Sequence, residues 1–429
     1  MQIHMPYGDE TLEASLEDTH VLNTLDVADA PALPDVADAM RSALQTPIGP
    51  VAPLADIVRP GERVVIVVSD SFRTTRIEQV LPTILQTLRQ SGVRDKDISF
   101  VFATGSHRAP TEEEKPVILG DAIYERFKDQ AFSHDPEDQA NLVHVGETSR
   151  GTPVEINRRV HEADRVIATG AVVLHYFGGF GGGRKSIVPG VVSKRTIAHN
   201  HARNLHATED RLDPAVRIGV LDGNPVAEDM LEAASLTHVD FMVNTVLNRN
   251  SQIAGLFAGH LDQAHRAACE FARTLFAVSI PEQADLVVAS AGRAKNFIQS
   301  HKALFNAFQA MKPGGRIVFL TRSPEGFGGN KFAQWLSLRT PEAIIRALRE
   351  DAEINGQTAL STVEKARSAL FVTALSSDEV ALLGGRKAEG LQEALNTARA
   401  DLRASGVARP TCYLMPSAAY SVPVHEATV

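Results

Sequence analysis

"RVVIVVSD", residues 63–70, is an uninterrupted apolar run closed by a serine and an aspartate. A strand with one wet face alternates apolar and polar residues. A run of this kind predicts a strand buried on both faces, as in a parallel sheet covered by helices. Downstream, Ile77, Val80, Leu81, Ile84, Leu85 and Leu88 recur at helical spacing until Gly92, a helix stop signal. Pro82 predicts that this helix starts or bends there. Further strands are expected at 99–105 and 165–174, with a helix start at 110–114 between them. Alternating strands and helices imply right-handed crossovers, hence an α/β fold with mostly parallel sheets.

The pattern continues with "GNPVAEDMLEAA" (223–234), where Asn224 is placed to cap a helix and Pro225 to occupy its first position. "HVDFMVNTVLN" (238–248) and "QIAGLFAG" (252–259) read as neighbouring strands, and a helix then runs to about Phe276. A new set of strands and helices begins with "DLVVASAG", "HKALFNAFQAM", "GGRIVFLT" and "SALFVTAL". Two α/β domains are therefore expected, 1–275 and 276–429. The first 40 residues give no clear pattern.

With 429 residues, the chain is too long for one ordinary core. A composition of 44% hydrophobic and 22% charged residues is that of a soluble globular protein. Its formal charge of −9 argues against a nucleic-acid partner. Two cysteines fit a reducing compartment. Neither a signal peptide nor a membrane-spanning run is visible. A cytoplasmic protein is expected.

Asp70, His107, His175 and Gln299 each fall at or shortly after the carboxyl end of an expected strand. Open parallel sheets bind ligands at that edge, so an active site in the cleft between two domains is expected. "HYFGGFGGGRKSIVPG" (175–190) crowds five glycines between 178 and 183, followed by Arg184 and Lys185. Such glycines suit a tight turn or a close approach to an anionic ligand. The loop is not a P-loop, because Arg184 separates Gly183 from Lys185, and Phe180 breaks the dinucleotide fingerprint. A cationic neighbour and partial burial would make the Lys185 amine a better nucleophile; charge neutralisation of a bound phosphate reads equally well. "TIAHNHARNLH" adds His199, His201 and His206. A His-x-His pair chelates metal from a strand or loop, whereas on a polar helix start the same histidines are solvated. Asp70, Arg73 and Arg76 after the first strand suit a phosphate or carboxylate, or a plain helix start. Gln299 and Lys302 share a helix face if the helix has begun, and could hold a carboxylate.

Taken in order, "TGSHRAPT", "HYFGGFGGGRKSIVPG", "HNHAR", "GNPVAEDMLEAA" and "NFIQSHKAL" resemble the nickel-pincer-nucleotide lactate racemase family over about residues 70–308. The resemblance implies an isomerase that racemises or epimerises a small-molecule 2-hydroxy acid. It implies a pyridinium mononucleotide cofactor, which holds nickel through two sulfurs and a ring carbon, and cofactor-synthesis enzymes as partners; a homo-oligomer is compatible. By the same resemblance Lys185 bonds covalently to the cofactor and His201 is the nickel ligand. Asp70, Arg73, Gly179, Gly182 and Gly183 bind the nucleotide, His107 and His175 are the general acid/base pair, and Gln299 and Lys302 clamp the substrate carboxylate. Hydride abstraction from Cα, with a histidine taking the hydroxyl proton, leaves a neutral ketone beside the carboxylate. Return to the opposite face requires a second histidine. The chain departs from the family at Ser71, Phe72 and Thr74, and at "GRAKN" (292–296), all bordering the substrate side. The departures favour a larger or differently charged acid than lactate. A nicotinamide-dependent dehydrogenase and a non-catalytic nucleotide- or nickel-binding protein are the competing readings.

Overall fold

The computed structural model describes residues 1–425. The chain forms two compact units, one of residues 29–204 and 213–275, the other of 1–28, 205–212 and 276–429. Each is built on a six-stranded sheet. The fold is α/β with mostly parallel sheets, and no helix among the described residues is long and apolar enough to cross a membrane.

In the unit of residues 29–204 and 213–275 the strands lie in the order Ile253–Gly259, Phe241–Leu247, Arg165–Ala171, Val64–Ser69, Ile98–Ala103, Ala131–Ser133. All neighbours are parallel except the first pair, a two-strand antiparallel ribbon. Every residue of Val64–Ser69 is buried. Alternate side chains leave a strand on opposite faces. Ile66 and Val68 enter one core with Ile84, Leu85 and Leu88 of the helix Leu81–Gln90. Val65 and Val67 enter another with Ile187, Val188, Val226 and Met230. Pro82 sits in the first turn of that helix, where its missing N–H costs nothing.

Val64–Ser69 is also where the strand order reverses. The chain moves from it to Ile98–Ala103 and Ala131–Ser133 on one side, then returns to Arg165–Ala171 on the other. Such a switch point leaves a crevice beyond the carboxyl ends of the two diverging strands. Asp70 follows one of those ends and the glycine loop follows the other.

The second unit carries an all-parallel sheet in the order Arg386–Ala388, Ala369–Val372, Met311–Leu320, Ala284–Ser290, Thr411–Met415, His20–Thr24. Within it residues 1–28 supply a hairpin, Gln2–Tyr7 with Glu10–Ser15, and the edge strand His20–Thr24. That strand has no fully buried residue, which is why its sequence carries no clear period. The helix Phe297–Gln309 follows Ala284–Ser290 and is capped by Asn296, whose side chain accepts from Gln299 N.

Candidate active site

Asp70 leaves the end of its strand with a carboxylate that is 1% exposed. Its Oδ2 lies 2.7 Å from His107 Nδ1, and its Oδ1 accepts from Phe72 N at 3.1 Å. His107 stands in a turn closed by its own N–H on Thr104 O. Gly105 N donates to Gly190 O, pinning this turn to the segment just past Lys185. The Phe72 ring packs on the His107 ring at 4.8 Å, and the Arg108 guanidinium lies 5.1 Å from the centre of that Phe72 ring. Arg108 is itself held by both oxygens of Glu114 at 2.6 Å, which pulls that carboxyl down to about 2. Arg73 is exposed and its backbone N–H closes the turn onto Asp70 O.

The glycine loop is a tight hairpin in which Leu174–His175 pairs antiparallel with Gly179–Phe180. Most of its glycines serve the protein's own packing. A Cβ at Gly179 would lie 2.1 Å from Val220 O, and one at Gly183 would lie 2.3 Å from the His265 ring. At Gly182 it would lie 2.8 Å from Val172. All three have positive φ, between +51° and +72°. The loop's amides are largely engaged as well: Gly181 N bonds Val173 O, Gly183 N bonds Asn244 Oδ1 and Lys185 N bonds Gly182 O. This is not an open phosphate cradle. Gly178 differs, because a Cβ there would meet His175 Nδ1, Lys185 Cδ and Lys185 Nζ, each at an ordinary 3.6 Å.

The Arg-Lys pair is split. Arg184 turns inward, 2% exposed, and donates to Asp262 Oδ1 at 2.9 Å and toward His265 Nδ1 at 3.3 Å. His265 bonds Gly181 O through Nε2, and burial pushes its ring down to about 3. Arg184 is thus a strut beneath the loop. Its guanidinium is paired with Asp262.

Lys185 turns the other way. Its Nζ sits 4.9 Å from the Phe177 ring centre. The same ring meets His175 edge-on at 4.5 Å and His201 at 4.8 Å. Three candidate residues therefore gather around one phenylalanine. His201 is 1% exposed and held down to about 3 by burial first and by the Lys185 charge second. It is a neutral imidazole at pH 7, the form that binds metal. His199 is exposed on the same helix, Lys194–Ala202. Residues two apart on a helix point about 200° away from each other, so the His-x-His pair is no chelate.

Two asparagines that sequence reading did not assign to the site hold this cluster. Asn224 caps Pro225–Ser235 with its oxygen while its Nδ2 donates to Phe177 O at 2.9 Å. Asn200 Nδ2 donates to Asp229 Oδ2 at 2.9 Å and to Val226 O, tying the His201 helix to the same neighbour. Phe177 itself was hidden among other aromatic residues in the glycine stretch. In the other unit, Gln299 and Lys302 lie in the first two turns of Phe297–Gln309, on one face. Gln299 is exposed and its Oε1 accepts from Lys295 N at 3.0 Å.

Residues 7–213 match the model of the lactate racemase N-terminal domain. The chain is 32% identical over 338 residues to the lactate racemase of Thermoanaerobacterium thermosaccharolyticum, covering 78% of this chain and 77% of that one. It belongs to the lactate racemase family. The enzyme is an isomerase of the racemase type. A lactate racemase of Lactiplantibacillus plantarum is similar at 31% identity, over 77% of each chain. The solved lactate racemase apoprotein of T. thermosaccharolyticum superposes with a TM-score of 0.88 at 28% identity, over 99% of this chain and all of that one. A Thermotoga maritima protein shares the fold alone, with a TM-score of 0.64 at 16% identity.

Proposed function

We propose that this racemase inverts the Cα centre of a 2-hydroxy acid of the lactate type, using His107 and His175 to exchange the hydroxyl proton and a nickel-pincer nucleotide held by Lys185 and His201. The observation that carries the reading is the gathering of His175, Lys185 and His201 around Phe177 beside a sheet switch point.

The residues fit such a cofactor in three respects. Gly178 opens space between the Lys185 amine and His175, where a side chain would intrude. His201 offers one neutral, buried imidazole that would supply a nitrogen donor to the nickel. Asn244 Nδ2, beside Gly182, is buried with no hydrogen-bond partner among the described residues, and suits a nucleotide oxygen. When bound, the group supplies a hydride acceptor that returns the same hydride to Cα.

The protein's own part is protonic and positional. His107 and His175 each present an imidazole that can take or give the hydroxyl proton. Gln299 and Lys302 would hold the carboxylate, and Arg73 would offer a guanidinium fork to the nucleotide phosphate. Phe72, half exposed and stacked on His107, would narrow the substrate side. We take the substrate to be a 2-hydroxy acid larger than lactate or differently charged.

Protein made alongside cofactor-synthesis enzymes should show an adduct by intact mass and stoichiometric nickel. Lys185→Ala should lose the adduct, and His201→Ala should keep it while losing most of the nickel. Full nickel content in His201→Ala would overturn the metal assignment.

A further inference from the structure

The two proposed acid/base histidines are held by hydrogen bonds of opposite sense. His107 Nδ1 faces Asp70 Oδ2 at 2.7 Å. An ionised carboxylate accepts and has no proton to give, so the neutral ring carries its proton on Nδ1 and leaves a lone pair on Nε2. His175 Nδ1 instead faces the backbone N–H of Gly178 at 3.2 Å. An amide N–H donates and cannot accept. The neutral His175 ring therefore has its lone pair on Nδ1 and its proton on Nε2.

We propose that Asp70 is a positioning residue for His107, and that Asp70 and the Gly178 amide set the two histidines in opposite tautomers, so that the resting enzyme presents one ready base and one ready donor. The proposal rests on the reading of His107 and His175 as the proton-exchanging pair. The enantiomer whose hydroxyl meets His107 finds a lone pair at Nε2. Its O–H proton would pass to that nitrogen, and the cofactor, when bound, would supply the acceptor for the Cα hydride. The opposite enantiomer, with its hydroxyl at His175, first meets an N–H that can only donate. Its oxidation waits until the Gly178 bond opens and the ring takes the other tautomer. The racemase is thus asymmetric in its first half-reaction although its overall equilibrium is symmetric.

The surroundings make one substitution informative. Phe72 N donates to Asp70 Oδ1 at 3.1 Å. In Asp70→Asn that N–H keeps the amide oxygen on its side and turns the NH₂ toward His107. The ring must then accept at Nδ1, and its proton moves to Nε2. Arg108, whose charge acts on Asp70, is held by Glu114, and neither residue changes in the variant.

The test is ¹⁵N NMR of the histidine imidazoles at about pH 8, where an ordinary histidine is neutral, with signals assigned by their loss in His107→Gln and His175→Gln. In the wild-type protein, His107 should show a protonated Nδ1 and a bare Nε2, and His175 the reverse. Asp70→Asn should switch the His107 signature and lower kcat by about 10²- to 10⁴-fold, the range of a lost general base, with KM little changed. The same tautomer on both rings, or a protonated Nε2 on His107 in the wild type, would overturn the proposal. The wild-type spectrum needs no variant, so a poorly folded Asp70→Asn leaves the test intact. The spectrum also reports tautomers whether or not any acid is racemised. Opposed tautomers without turnover in nickel-loaded enzyme would sink the functional reading and leave only the tautomer assignment standing.

Discussion

Gly178 and Gly183 lie in the same loop and meet opposite demands. Gly183 has φ +51° and its missing side chain leaves room for the His265 ring. Gly183→Ala combines overpacking, about 1–3 kcal/mol, with a left-handed backbone worth about 1–2 kcal/mol. It should lower the urea midpoint by the equivalent of about 2–5 kcal/mol. Gly178→Ala meets nothing closer than 3.6 Å and should stay within about 1 kcal/mol of wild type. Its methyl group would nevertheless fill the space next to the Lys185 amine, so intact mass should show the adduct strongly reduced in a protein of normal stability. An equal loss of stability in both variants would contradict this division. That glycines crowd this loop is plain in the sequence. Which of them faces a ligand is not, because the neighbours that decide it, Val220 and His265, come from later in the chain.

Secondary structure decides what the polar residues between strands can do. "HNH" on a strand would put both histidines on one face; on the helix Lys194–Ala202 it buries His201 and exposes His199. Asn224 was legible as a helix cap from the Asn-Pro pair, but its second bond, to Phe177 O, depends on a contact distant in sequence. The two roles can be separated. Asn224→Ala removes the cap, about 1 kcal/mol, and a buried hydrogen bond of about 1 kcal/mol, and should cost about 2 kcal/mol by denaturant unfolding. Asn224→Asp keeps an oxygen for the cap but replaces the donor with an acceptor facing a carbonyl. It should retain the helix while loosening Phe177, read as reduced nickel retention during dialysis. A fully nickel-retaining Asn224→Asp would deny that Asn224 supports the cluster.

At the scale of the whole chain, the buried run Val64–Ser69 predicted a parallel sheet covered on both faces, and the sheet carries a core on each. What the run could not reveal is that the strand order reverses there, since that depends on where Arg165–Ala171 pairs. The edge strand His20–Thr24 was unreadable because half-exposed residues keep no period, and its partner, Thr411–Met415, lies near the other end of the sequence. The motifs in "TGSHRAPT", "HYFGGFGGGRKSIVPG" and "HNHAR" were enough to identify the family, because their chemistry is local and ordered along the chain.

The central claim is that one chain inverts a 2-hydroxy acid with a hydride acceptor it carries itself. The most direct measurement is polarimetry of nickel-loaded, dialysed enzyme on each pure enantiomer of a series of 2-hydroxy acids, with no nicotinamide nucleotide present. For at least one acid, optical rotation should decay to zero from both enantiomers at rates that do not change when NAD is added. Decay that begins only once NAD is supplied, accompanied by accumulation of the 2-keto acid, would contradict the account.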